Sequence, residues 1–517
     1  MSRTLYFITS LFFVLIALLS MRLVPFAYDD AYIHFRIAEN LAQHGQPYFN
    51  LGERIMSTSS PVWTCILAAL STLDVALPLT VALLNSVLTI AGAVAWMQCL
   101  TILNVMVSRW MKLLFALGYV GIIIPSSVGL METPLAMLII VVAVLLLSQD
   151  KPVGWGFVAL AIFTRFELVV FVPFFTIAVF RIKHRSICQH AIFFAGAIAI
   201  LASLTWISYG TVIPYTIVAK QIVYHPSRAD VFVRVFYSIF PLQRFIESFL
   251  APPLVLCVCG LFGATLSFLP WKSMLHDRNH IWTIAVGAGG ASIAIAYVLK
   301  NVFLHDWYVP LYYIPTLFFF TIVASNGLLH RIAFFVLATA SLSLLMQFLL
   351  GGIWTEYLPT RASGARVQRY IEVGTLLHRL FPDAQLMTSE IGGLGYSFKG
   401  KILDGCGLIS PDALKHHPLE VGTQRSHSGF GAIPAAYVNE KRPELIVSYP
   451  MLIEFKKTLY ADLYEKISVA SFSKRYQEQI KEVSVFGSEV LSIYIRKDVV
   501  DRRKITILTN ELSATSD

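Results

Sequence analysis

The feature that most limits what this chain can become is a series of long apolar runs. They cover residues 5–24, 79–104, 113–128, 131–148, 153–164, 167–181, 190–209, 249–270, 281–299, 309–326 and 331–350. A helix needs roughly 20 apolar residues to cross hydrocarbon, and inside hydrocarbon only a helix or a closed barrel satisfies its own backbone. The runs therefore predict about eleven transmembrane helices. Composition agrees. Of 517 residues, 56% are hydrophobic and 14% charged, where an ordinary soluble domain carries about 25% charged residues. A soluble enzyme, a disordered regulator and a small disulfide scaffold are excluded.

The basic side chains set the sides. Lys and Arg number 40 against 31 Asp and Glu, a net charge of +9. In a chain this apolar the excess is explained by cytoplasmic loops and not by nucleic acid. Arg3 precedes the first run, and no small-x-small cleavage site follows it, so the run reads as a retained anchor. The segment 61–77 is short and interrupted by Asp74. If it does not cross, the loops holding Arg109, Lys112, Lys151, Arg181, Lys183, Arg185, Lys272, Arg278 and Arg331 all fall on the side of Arg3. If it crosses, all of them move outside. The positive-inside rule favours the first case. The N-terminus is then cytoplasmic, and the outer face receives the loop 25–60, Glu132, the turn Arg165–Glu167, the loop 210–248, the segment 300–308 and everything after 350.

The C-terminal part changes character. Helical spacing of Val367, Ile371, Leu376, Leu377 and Leu380 predicts a helix over 363–380. Short apolar runs at 384–388, 401–404 and 444–448 predict strands, and 483–496 a closing strand or hairpin. The expected architecture is a polytopic α-helical membrane domain over 1–350, an extracytoplasmic α/β domain over 351–500 and a frayed tail over 501–517.

The sharpest local signal is Asp29-Asp30, just after the first run. An amphipathic stretch from Ala31 to Gln43 follows. One reading makes Asp30 a helix N-cap and leaves Asp29 solvated. The other is a general base at the membrane surface, because adjacent carboxylates repel and one pKa rises toward the working pH. Such a base takes a proton from a hydroxyl that attacks an anomeric carbon.

The stretch Tyr28-Asp29-Asp30-Ala31-Tyr32-Ile33-His34-Phe35-Arg36 continues through Gly52-Glu53-Arg54 to Ser60-Pro61-Val62-Trp63. It resembles the first outer loop of bacterial GT-C glycosyltransferases, in particular the mycobacterial terminal arabinofuranosyltransferases and their uncharacterised relatives. Gly129-Leu130-Met131-Glu132-Thr133, Thr164-Arg165-Phe166-Glu167, Tyr209-Gly210-Thr211-Val212-Ile213-Pro214 with Ala219-Lys220, and Ile391-Gly392-Gly393 through Asp404-Gly405 resemble later pieces of that family in the same order. Phe166 and Tyr215 stand where the family carries Pro and Asn, and Met56-Ser57 where it carries an acidic-Gly pair.

The resemblance implies a GT-C fold and transfer of a single sugar, such as a pentofuranose, from a polyprenyl-phosphate donor. The acceptor would be an extracytoplasmic glycan, lipid or protein, and the enzyme would sit in a bacterial inner membrane. It implies Asp29 as base, with Asp30 the second candidate. A leaving phosphate needs cationic donors. The candidates are Lys220, Arg165 and His305, then Arg36 and Arg54. Tyr32, Trp63, Glu132, Glu167, Trp307, Tyr308, Glu390 and Asp404 are candidates for sugar or acceptor contacts.

Plainer readings stand beside these. Lys220 can snorkel to the interface, Arg165 can pair with Glu167 structurally, Trp307 and Tyr308 can be belt anchors, and Glu390 and Asp404 can be turn residues. His416-His417 with Asp412 matches no metal-ligand spacing, and no Asp-x-Asp motif lies on the cytoplasmic side. No cofactor is expected; a divalent cation is left open, and no nucleic-acid partner is expected. The alternative function is a lipid-linked sugar transporter, which would place ionisable groups at mid-bilayer and show inverted repeats.

Overall fold

The computed structural model describes residues 27–73, 75–103, 107–182, 187–224, 228–239, 278–325, 362–419, 433–453, 462–472 and 489–514. The expected spans over 5–24, 249–270 and 331–350, and Cys257 and Cys259 within the second, lie outside these residues. The other eight apolar runs are all helical. They form α3 (Leu77–Leu103), α4 (Arg109–Val128), α5 (Thr133–Ser148), α6 (Gly154–Thr164), α7 (Phe171–Ile182), α8 (Ile187–Tyr209), α11 (Arg278–Leu299) and α12 (Val309–Ser325), and a 3₁₀ turn over Phe166–Val170 leads into α7. Among the described residues four helices are long and apolar enough to cross a membrane: Leu77–Leu103, Arg109–Val128, Ile187–Tyr209 and His280–Leu299. Among the described residues the protein is thus mostly helical, with four membrane-spanning candidates.

Among the described residues two short helices precede α3. They are α1 (Asp29–His44) and α2 (Pro61–Ser71). α1 ends at Gly45, whose φ of +68° is a left-handed conformation that glycine adopts without strain. α2 has 11 residues, a rise of about 16 Å. That is short of the roughly 30 Å of hydrocarbon.

Apolar side chains explain the packing. Trp96 of α3, Phe115 of α4 and Phe318 of α12 meet with ring centroids 5.0–6.3 Å apart. α8 is different: Ile192, Ile200 and Ile207 are 69%, 63% and 71% exposed. A helix this apolar with so little protein against it presents the surface that hydrocarbon solvates best.

The helices carry their polar groups to opposite ends. Ser60 Oγ donates to the Thr164 carbonyl at 2.7 Å, Asn85 Nδ2 to the Met131 carbonyl at 3.0 Å, and Thr133 Oγ1 to the Trp307 carbonyl at 2.9 Å. These bonds gather the end of α6, the α4–α5 turn and the start of α12 at one end. At the other end Trp155 Nε1 donates to His190 Nδ1 at 3.1 Å, and His190 Nε2 lies 3.3 Å from Asp150. Arg109, Lys112, Lys151 and Arg181 belong to that second end, by their places at helix termini.

Among the described residues two more helices, α9 (Tyr215–Val223) and α10 (Arg228–Ile239), lie between α8 and α11. The C-terminal part begins with α13 (Ala362–Leu380), then β1 (Leu386–Thr388), α14 (Gly393–Phe398), β2 (Ile402–Asp404), α15 (Ala435–Lys441), β3 (Leu445–Ser448), β4 (Tyr464–Ala470), β5 (Val490–Arg496) and α16 (Arg502–Ala514). One five-stranded sheet has the order β2-β1-β3-β5-β4. β1 pairs parallel with β2 and β3, while β5 pairs antiparallel with β3 and β4. Four elements lie where the sequence placed them. β4 was not anticipated, and the closing strand or hairpin expected over 483–496 contributes β5 among the described residues.

The tail needs a correction. Residues 502–514 are helical, and Leu508 and Leu512 are buried. Arg369 Nη2 donates to the Leu512 carbonyl at 3.0 Å, and Lys504 Nζ to that of Leu380 at 2.7 Å. Polar composition suggested fraying; two leucines one turn apart supply the docking face.

The loop after α1 is joined to the edge of this sheet. Asn50 Nδ2 donates to the Ile402 carbonyl at 2.8 Å, and Asn50 Oδ1 accepts from the Ile402 amide at 3.1 Å. The side-chain amide thus copies a strand partner along the otherwise open edge of β2. Asn50→Ala leaves both buried groups unpaired, and unfolding in detergent should show a loss of about 1–3 kcal/mol. An unchanged melting curve would contradict this pairing.

Candidate functional site

The site forms where α1 meets the C-terminal domain. Tyr28, not Asp30, holds the N-cap position of α1, and no side chain caps the helix. Asp29 and Asp30 fill its first turn, where the helix dipole favours carboxylates. Tyr28 is fixed by its amide, which donates to the Gly129 carbonyl at 3.3 Å, and its hydroxyl donates to Asp306 at 3.3 Å.

The two carboxylates point to different partners. Asp29 Oδ2 accepts from the Gly392 amide at 3.0 Å, and Oδ1 from the Gly393 amide at 2.8 Å. Burial raises the Asp29 pKa, against the opposing pull of Arg366 and the two amides. Asp30 lies 3.7 Å from Lys220 Nζ. Burial pulls its pKa upward too, but Lys220, His305, His34 and Arg366 together outweigh it and the net direction is down.

Lys220 comes from α9. Its Nζ donates to the Tyr308 hydroxyl at 3.3 Å, and the net direction of its own pKa is up, against burial, under the pull of Tyr308 and Asp30. Tyr308 belongs to a 3₁₀ turn over Asp306–Tyr308 that opens α12. His305 stacks on Trp307 with centroids 4.4 Å apart and planes 9° apart. Tyr28 packs on the same indole at 4.7 Å. Burial, then Lys220, pushes the His305 imidazole down to about 3, so it is neutral at pH 7. Arg234 of α10, absent from the sequence-level candidates, covers the Phe303 ring at 4.9 Å and is felt electrostatically at His305. Its spacing four residues after Asp230 was the one available signal.

Other candidates are brought together in a different way. Arg165 is buried between two carboxylates, 2.6 Å from Glu132 and 2.7 Å from Glu167. Its guanidinium also lies over Tyr308 at 4.5 Å. Glu132 is fully buried, and its second oxygen faces His34 Nε2 at 4.0 Å. Glu390 pairs with Arg366 at 2.8 Å, and burial raises its carboxyl to about 7 although Arg366 opposes this. Arg366 also acts electrostatically on Asp29, which puts this pair behind the aspartates.

Several candidates do not reach the cluster. Arg36 is buried and donates to the carbonyls of Phe49 at 2.8 Å, Gly400 at 2.6 Å and Gly395. Arg54 donates to the carbonyls of Trp206, Ile207 and Ser208 at the end of α8. Both were expected as secondary phosphate ligands; their donors are directed mainly to backbone carbonyls, with Arg36 Nη2 also donating to Asn50 Oδ1 at 3.4 Å. Trp63 is fully buried in the helical core, and Tyr32 packs on Phe35 and Tyr396. Asp404 accepts from the amides of Cys406, Leu408 and Ile409 at 2.5–3.2 Å, which is loop stapling. Burial raises its carboxyl to about 7 against those amides. His416 lies 3.1 Å from Glu440, His417 2.8 Å from the Gly405 carbonyl, and Asp412 binds Lys415 and Lys441 at 2.8 Å. Among the described residues no group of three His, Cys, Asp or Glu is placed to hold a metal ion.

Fold and site together define an apolar helical protein with a carboxylate–lysine–aromatic cluster at one end of its helices, closed by a small mixed sheet. A family model described as a domain of unknown function (DUF8728) matches residues 359–494, the C-terminal domain only. No curated protein matches the chain.

Proposed function

We propose that this protein is a membrane glycosyltransferase of the GT-C type. It moves one sugar, such as a pentofuranose, from a polyprenyl-phosphate donor to an extracytoplasmic glycan, lipid or protein. The observation that carries this reading is the meeting of Asp30 and Lys220, 3.7 Å apart, beside the His305–Trp307–Tyr308 wall at the end of apolar helices. A lipid phosphate headgroup would lie at that level, with its chain along the helices.

The chemistry balances simply. A carboxylate of the pair takes the proton of the acceptor hydroxyl as its oxygen bonds the anomeric carbon. The bond from that carbon to the phosphate oxygen breaks, and the electron pair leaves with the polyprenyl phosphate. Lys220 and Arg234 offset the charge that grows there, and Trp307 with Tyr308 offers faces on which a sugar stacks. The same reading puts the pair and the C-terminal domain on the outer face of a bacterial inner membrane. Its full set of spans is about eleven, with the N-terminus inside.

Purified protein in detergent, incubated with farnesyl-phosphoryl arabinofuranose and envelope glycan, is expected to release farnesyl phosphate and a product one pentose heavier. A transporter would release neither, having no bilayer to cross. Mass spectrometry of envelope glycans and surface proteins from a deletion strain identifies the acceptor.

The acid limb of the rate profile carries a further prediction. Lys220 holds the Asp30 pKa down. Asp30 is then ionised, and able to accept a proton, until the pH falls through that lowered value. Lys220→Gln removes the pull, so the limb of the residual activity moves to higher pH. A limb that stays in place would detach Asp30 from the rate.

A further inference from the structure

The resemblance gives the base role to Asp29, but the geometry divides the pair differently. We infer that Asp29 is a positioning residue that latches the C-terminal domain onto α1, leaving Asp30 as the carboxylate that meets the acceptor. This inference rests on the glycosyltransferase reading for the role of Asp30; the latch itself does not.

The argument is one of space and partners. Each oxygen of Asp29 takes an amide hydrogen from a residue more than 360 positions away, Gly392 at 3.0 Å and Gly393 at 2.8 Å. A Cβ on Gly392 would stand 2.0 Å from the Asp29 carbonyl oxygen and 2.5 Å from its carboxyl group. The carboxylate is therefore seated directly against backbone, in room that exists only because residue 392 is glycine. An acceptor oxygen needs about 2.6–3.2 Å of free approach to a general base, and the Gly392 and Gly393 amides already take one lone pair on each Asp29 oxygen.

The latch is the first of several ties along one seam. Glu39 accepts from the Tyr396 hydroxyl at 2.6 Å, Arg36 reaches the Gly395 and Gly400 carbonyls, Asn50 pairs with Ile402, and Glu53 binds Lys401 at 2.9 Å. Asp29 is the tie nearest the reacting groups, and its neighbour in sequence is Asp30. Holding Asp29 therefore sets the first turn of α1, and with it the direction of Asp30 toward Lys220. The charged and titratable groups around Asp30 are Lys220 of α9, His305 before α12, His34 of α1 and Arg366 of α13; of these only Lys220 touches it as an ion pair.

Hydrogen exchange on the full-length protein in detergent tests the latch without activity. Asp29→Asn should speed exchange of the Gly392 and Gly393 amides roughly tenfold and leave strand β3 protected, while Asp30→Asn should leave both amides unchanged. Gly392→Ala should reproduce the Asp29→Asn pattern without altering any carboxylate. Faster exchange in β3 as well would mark global loss of fold, and Asp29→Glu then serves as the milder variant. Equal protection in Asp29 and Asp30 variants overturns the latch.

Transfer from farnesyl-phosphoryl arabinofuranose tests the division of roles. Asp29→Asn should lower kcat by roughly tenfold to a hundredfold and keep an acid limb; Asp30→Asn should lose the rate and the limb together. A complete loss in Asp29→Asn with the amides still protected would return the base role to Asp29. If the wild-type protein transfers nothing, the enzyme reading fails while the exchange result still decides the latch.

Discussion

Asp30→Asn is expected to lower transfer by a factor on the order of 10²–10⁴, with the protein still folded and inserted. Asn has nearly the shape of Asp but no basic oxygen pair, so the acceptor hydroxyl keeps its proton as it attacks. Asp30 is suited to such an isosteric test because, among the described residues, its close charged partner is Lys220 at 3.7 Å. The change should fall on kcat more than on KM, because the proton moves only in the transition state. The measurement is release of farnesyl phosphate by the purified variant. Wild-type kcat in this variant would remove Asp30 from the chemistry.

Arg165→Met is expected to cost about 3–5 kcal/mol of stability, the largest structural effect of any single change named here. Arg165 is 3% exposed and Glu132 is fully buried, with 2.6 Å between them. Removing the guanidinium strands the charge of a fully buried Glu132. Glu167 is less affected, since its side chain is 30% exposed. The double variant Arg165→Met with Glu132→Gln should recover most of the loss. Thermal unfolding in detergent measures both. If Arg165 instead holds the donor phosphate, the single variant would raise KM and leave the melting temperature where it was. That comparison separates the two readings that the sequence left open for this residue.

Legibility differed sharply between parts of the molecule. The helices α3 to α8, α11 and α12 were readable because apolar runs state their own boundaries within a few residues. β1, β2 and β3 were readable as short apolar runs between turns. β4, Tyr464–Ala470, was not, because Glu465, Lys466 and Ser468 break its apolar pattern. That strand pairs with β5, its two central apolar residues Ile467 and Val469 are buried, and it owes its place to that pairing more than to its own composition. The tail helix was hidden in the same way, its docking face reduced to Leu508 and Leu512.

The candidate site shows the same split. Asp29, Asp30, Lys220, Trp307 and Tyr308 were candidates from motif and position, and the structure brings them close together. Arg36 and Arg54 were also reasonable from sequence, as basic groups in an outer loop. Their guanidinium donors go to carbonyls that belong to distant residues, and a carbonyl is present at every position. No property of the sequence marks which carbonyls a buried arginine will meet. Arg234, and Arg366 as the partner of the anticipated Glu390, were missed for a related reason: each matters through a neighbour far away in the chain.

What the amino-acid sequence determined by itself was the helical, apolar character of the protein and the presence of a carboxylate pair at the end of such a helix system. Hydrophobicity and helical spacing are local, so a linear reading suffices for them. The tertiary structure alone decided how the two aspartates divide, one seated on the amides of Gly392 and Gly393 and the other facing Lys220. Adjacent residues on a helix point about 100° apart, so identical side chains meet different surroundings. Those surroundings come from segments hundreds of residues away, brought there only by packing.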